Sequence, residues 1–115
     1  MRNNKKNHKF LLIPNKIFDY DLRQLEKIRK TLKFFDKKSH IFDQEYSEEQ
    51  LKSFLKNNNF DIIFAINKSR PNWLDKKIRF IAWFQDFYFD SENLLENFLE
   101  SDIVYFYASP EAFGV

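Results

Sequence analysis

The chain of 115 residues contains no cysteine, one glycine and three prolines. Without cysteine there is no disulfide framework, no thiolate nucleophile and no Cys-based zinc site. That composition suits a reducing compartment, so a cytoplasmic location is expected. Ordinary usage of about 7% would supply about eight glycines; the single one, Gly114, leaves the backbone poorly equipped to form a close phosphate cradle. The first strand-to-helix turn, "IPNKIFDYD", accordingly has neither the GxGxxG fingerprint nor the GxxxxGK[ST] loop. No cofactor is therefore expected to bind this domain. A phospho-receiver module would want clustered carboxylates after the first strand and an aspartate ending the third, where Asn15 and Asn67 stand. His8 and His40 are far apart in the chain, so no metal site is expected. Long hydrophobic runs are missing too. "FLLI" is far shorter than a signal-peptide core, and nothing approaches a membrane span.

What is present is an ordinary globular composition, 43% hydrophobic and 31% charged. The length fits one domain that can bury a core without staples. The net charge of +2 is too small to argue for a nucleic-acid partner, which is not expected. Much of the visible excess lies in "MRNNKKNHK", read as a basic, disordered arm over residues 1–9 that leads into a single domain over 10–115.

Hydrophobic periodicity divides that domain. "KFLLIP" (9–14) holds a short continuous apolar run closed by proline, the pattern of a strand covered on both faces. In "DLRQLEKIRKTLKFF" (21–35), Leu22, Leu25, Ile28, Leu32 and Phe35 recur at threes and fours, the stripe of an amphipathic helix capped by Asp19 or Asp21. "SHIFDQ" (39–44) reads as a short strand. "SEEQLKSFLKNN" (47–58) is a helix with Ser47 and Gln50 in capping-box positions, stopped by Asn57 to Asn59. "FDIIFAIN" (60–67) and "IRFIAWFQD" (78–86) are strands joined by about ten residues, too few for a helical crossover, so that connection is expected to be irregular. "SENLLENFLES" (91–101) has helical spacing, and residues from 102 begin as a strand. The expected architecture is α/β: a Rossmann-like or flavodoxin-like open parallel sheet of about five strands with helices on both faces.

In such sheets ligands sit beyond the carboxyl ends of the strands. Three apolar segments emerge there on polar residues: Asn67, Ser69 and Arg70; Gln85 and Asp86; Ser109 and Glu111. Side by side in parallel, these tips would share one rim. Asn, Asp and Ser also start loops because their side chains bond nearby backbone. Arg70 is the candidate for holding an anionic or hydroxyl-rich ligand through its forked donors, or else a surface salt bridge. Asp86 could supply a general base, while Asp90 is placed to cap the helix near Ser91. Trp73 could stack on a ring or lid the core, and Trp83 is expected inside it.

The stretch "FDIIFAINKSRPNWLDKKIRFIAWFQD" resembles part of the amino-terminal half of bacterial two-domain glycosyltransferases, the spore-maturation-protein-like group with the GT-B fold. There a strand of the type D-(I/L)-I-F-(A/S)-I-N precedes an Arg-containing loop and then (F/V)-(I/V)-x-W-x-Q-D. The matching positions are Asp61 to Asn67, Arg70, Trp83, Gln85 and Asp86, in about a quarter of the chain. The resemblance implies an acceptor-side domain, inactive alone, that binds a carbohydrate or glycan acceptor. Asn67, Arg70 and Gln85 would line its cleft, with Asp86 catalytic, and the strand-end reading adds Ser109 and Glu111 to that lining. It also implies a nucleotide-sugar donor gripped by a missing carboxy-terminal domain, since this chain stops at "SPEAFGV" where the family continues. The alternative expectation is a non-catalytic flavodoxin-like protein-interaction module.

Overall fold

The computed structural model of the protein describes residues 8–17, 19–85 and 94–106. The elements are β1 (Lys9–Ile13), α1 (Asp19–Phe34), β2 (Lys38–Ile41), α2 (Glu48–Asn57), β3 (Ile62–Ile66), β4 (Arg79–Phe84) and β5 (Ile103–Phe106). All neighbouring strands are parallel, in the order β2-β1-β3-β4-β5. This is the expected α/β open sheet, with the strand order of the flavodoxin-like type. Lys9, counted by sequence with both the arm over 1–9 and the strand over 9–14, is the first residue of β1. Among the described residues, no helix is long and apolar enough to cross a membrane.

The faces follow from the handedness of parallel crossovers. The chain steps from β1 outward to β2, then reverses past β1 to β3, β4 and β5. Right-handed connections therefore place α1 on one face and all later connections on the other. Side-chain alternation divides the core accordingly. Leu12 and Ile66 meet Leu25 of α1 in the smaller cluster. Leu11, Ile13, Ile63, Ala65, Phe80 and Phe84 meet Leu51 of α2, Leu74 and Leu94 in the larger. Each fully buried leucine or phenylalanine stabilises the fold by roughly 1.5–3 kcal/mol relative to exposure. Beyond α1, the smaller face thins out: Ile103 and Tyr105 are exposed there, opposite Ile81 and Trp83 in register. Trp83 is therefore half-buried against Phe64, 6.3 Å between ring centres, and does not lie in the core as expected.

The helix ends show how local chemistry sets the boundaries. Ser47 caps α2, its hydroxyl accepting from Gln50 N at 3.1 Å. The Asn57 and Asn58 side chains donate back to the carbonyls of Ser53 and Phe54, halting the helix. At the start of α1, Asp21 accepts from Lys16 N at 3.0 Å, closing the turn that leads in. At its end, Asp36 takes the left-handed conformation, φ 62°. Asp36 N then donates to Lys33 O and Lys37 N to Leu32 O, the paired bonds of a Schellman motif. The apolar stripe ends one turn sooner than its spacing implies, leaving Phe34 and Phe35 exposed.

Two connections bear on the site. The β3–β4 crossover is irregular, as expected, with Leu74 and Trp73 taking the place of a helix over the larger core. The helix expected over 91–101 is absent from its described part: residues 94–101 form turns closed by Phe98 N to Leu95 O and Asp102 N to Leu99 O. Tertiary bonds override the helical spacing there. Ser69 Oγ donates to Leu94 O at 2.7 Å, and Asp102 accepts from Leu99 N at 2.8 Å. Leu94 and Phe98 reach the core while Leu95 stays exposed, so the stripe is split.

Candidate functional site at the carboxyl edge of the sheet

Parallel β3 and β4 pair Ile66 with Trp83, which brings Asn67, one residue on, and Gln85, two residues on, to one edge. Asn67 adopts φ 57°, a left-handed conformation that asparagine tolerates better than most residues. This lets its backbone N donate to Trp83 O at 2.9 Å while its side-chain Oδ1 accepts from Gln85 N at 2.6 Å. Gln85 Nε2 in turn donates to Gln24 Oε1 on α1 at 3.0 Å. The amides thus lock two strand ends and a helix into one rigid rim. β4 ends on Phe84 and passes to the polar Gln85 because the chain leaves the core there.

Beside this rim, where the strand order reverses between β1 and β3, lies a cleft of about 480 Å³. Its lining includes Asn15, Lys16, Gln44, Glu45, Tyr46 and Lys68. Lys68 is the central cation. Its Nζ donates to Asn15 O at 3.2 Å and sits 4.5 Å from the centre of the Tyr46 ring. Burial lowers the pKa of Lys68, and nearby Asp21 partly opposes that shift. Tyr46 is pushed up to about 12, first by burial and then by the Glu48 charge. The cleft therefore offers a half-buried ammonium, a neutral phenol, amide groups and an aromatic face. Such a set suits hydrogen bonding to hydroxyls more than neutralising a strong anion. Spacing alone could not single out Lys68 or Tyr46. Their only sequence signal was position, just past the ends of strands at the switch point.

Arg70 lies elsewhere. Its side chain is 2% exposed, and its guanidinium reaches the opposite edge, where β4 and β5 begin. Nη1 donates to Ile78 O at 2.9 Å and to Asp102 Oδ1 at 3.1 Å, and Nη2 donates to Asp75 O at 2.9 Å. Asp102, also buried, further accepts from Phe80 N at 2.9 Å. Arg70 is therefore a clamp tying the crossover to two strand starts, in place of the expected ligand contact or surface ion pair. Trp73 lids the larger core, its Nε1 donating to Glu48 Oε1 at 3.1 Å. Asp86, Asp90, Ser91, Ser109 and Glu111 lie outside the described residues. In comparison with known proteins, no family model, curated protein or solved structure matches the chain.

Proposed function

We propose that the chain is the acceptor-side module of a sugar-transfer enzyme, receiving a hydroxyl-rich acceptor in the carboxyl-edge cleft. The observation that carries this reading is the cleft at the β1/β3 switch point, where Lys68 is held between Asn15 O and the Tyr46 ring beside the Asn67–Gln85 rim. The bonded Asn67 and Gln85 are two of the positions that carry the glycosyltransferase resemblance, whereas Arg70, a third, serves the opposite edge. Mixed donors and acceptors beside an aromatic face are what sugar hydroxyls and ring faces require. On this reading the nucleotide-sugar belongs to another domain, and this chain binds acceptor without turning it over. The test is a titration of the 15N-labelled chain with a panel of mono- and oligosaccharides. Amide shifts should cluster at 14–17, 44–46, 67–68 and 85, and Lys68→Ala should abolish them. Shifts that never cluster there would overturn the reading.

A second reading, a non-catalytic interaction module, is favoured by one feature. Ile81, Trp83, Ile103 and Tyr105 form an apolar strip on the α1 side of β4 and β5 that no described element covers. It requires self-association or a protein partner on that strip. Sedimentation equilibrium would show a concentration-dependent dimer, broken by Tyr105→Lys, whereas a monomer at every concentration with no co-purifying protein removes it.

A further inference from the structure

The edge of the sheet opposite the carboxyl rim holds a second concavity. A groove of about 540 Å³ lies between the end of α1, the start of β2 and the end of α2. Five cationic side chains line it against a single carboxylate, that of Asp36. Arg29 is paired with Glu26 on its own helix. The other four, Lys9, Lys33, Lys37 and Lys38, make no ion pair with any described residue. They come from β1, the last turn of α1, and the entry to β2, and only the fold brings them together. The floor is aromatic: His40 stacks on Phe54 at 5.2 Å, Phe54 on Phe60 at 5.7 Å, and Lys9 Nζ stands 4.7 Å from the Phe60 ring centre.

Between the lining residues Lys33 and Asp36 in sequence are Phe34, 83% exposed, and Phe35, 63% exposed, edge to face with each other. Exposed phenylalanines usually find cover. These lie just before the Schellman turn at Asp36, with groove-lining Lys33 immediately before them and Lys37 two residues after. Unpaired cations arranged to follow a phosphate backbone, beside aromatic faces open to stacking, are the two components of single-strand recognition. Concavity separates this from a bilayer, whose headgroup plane would meet the convex phenyl pair without filling the groove. A duplex keeps its bases stacked on each other and could not use the phenyl faces.

We propose that this groove binds single-stranded nucleic acid, with Lys9, Lys33, Lys37 and Lys38 along the phosphates and Phe34 and Phe35 stacking on unpaired bases. The site is separate from the carboxyl-edge cleft and does not depend on the sugar-transfer reading.

Fluorescence anisotropy of the full chain with labelled short RNA and DNA strands tests it. Binding should fall with salt at a log–log slope of about −3, as four released counterions imply, a roughly fifty-fold loss between about 50 and 200 mM. K33A/K37A/K38A should retain the wild-type melting behaviour, because these side chains make no ion pair with a described residue, while the slope drops to about −1. F34A/F35A should weaken binding by about tenfold or more with the slope unchanged. Binding of either RNA or DNA upholds the proposal. It is overturned by no binding at low salt, by equal or tighter binding of the matching duplex, by an unchanged slope in the lysine variant, or by association with phosphatidylserine vesicles and not with strands.

Discussion

The two edges of this sheet treat polar groups in opposite ways. At the carboxyl edge they bond to one another: Asn67 to Gln85, Gln85 to Gln24, Lys68 to Asn15. At the amino edge of β1 and β2, four lysines face one groove with no described ion-pair partner. The amino edge of β4 and β5 sharpens the contrast, because there Arg70 is buried and fully occupied by Asp102 and two carbonyls. Polar groups that are engaged hold the fold in place. Those left unengaged are available to a ligand. A buried charge must find its partner within the protein, whereas an exposed lysine loses little by waiting for one from outside.

The largest expected effect lies at the clamp. Arg70→Ala leaves the Asp102 carboxylate buried without its charge partner and should cost about 3–5 kcal/mol in a denaturant titration, a large share of a typical domain's ~5–15 kcal/mol. The triple lysine variant should stay within about 0.5 kcal/mol of wild type. Equal destabilisation by the two would erase the contrast between engaged and unengaged cations.

Asn67→Ala should cost about 2 kcal/mol, from a lost hydrogen bond and a left-handed backbone that alanine adopts poorly. Asn67→Gly should lose less, since glycine accepts φ 57° freely. A smaller effect of opposite sign is expected at the other edge. Asp36→Gly removes a left-handed non-glycine residue that makes no described side-chain bond, and should stabilise by about 0.5–1 kcal/mol. It should also tighten oligonucleotide binding by removing the one carboxylate in the groove.

The smallest effect concerns pH. Tyr46, with its pKa raised to about 12 by burial, folds more readily as the neutral phenol. Its stabilising contribution is complete below the ordinary tyrosine value near 10 and declines as pH rises through about 12. Ultraviolet titration should show one of the five tyrosines ionising in that upper range, lost in Tyr46→Phe. A midpoint near 10 would mean that the cleft is wetter than its geometry implies.

Much of the architecture was legible in the sequence because its signals are local. Unbroken apolar runs marked β1, β3 and β4, and Ser47 with Asn57 and Asn58 bounded α2. The short segment before β4 correctly implied a crossover without a helix. Residues 91–101 misled because their spacing is helical, yet Ser69 and Asp102 hold the described part of that stretch in turns from positions far away or just beyond it. At the site, Asn67 and Gln85 were placed correctly on one edge. Arg70 was not, because no periodicity reports that its side chain runs back beneath the sheet. Lys68 and Tyr46 went unmarked for the same reason.

By itself, then, the sequence determined the succession of strands and helices and the class of sheet they build, since periods of two and about 3.6 residues are written along the chain. It also determined the scarcity of glycine, which leaves few backbone positions suited to a close phosphate cradle. The tertiary structure alone decided which polar groups meet: Arg70 with Asp102 across 32 positions, and Lys9 with Lys33, Lys37 and Lys38 around one groove. A net charge of +2 conceals that gathering, because a sum over the chain carries no information about where its terms converge in space.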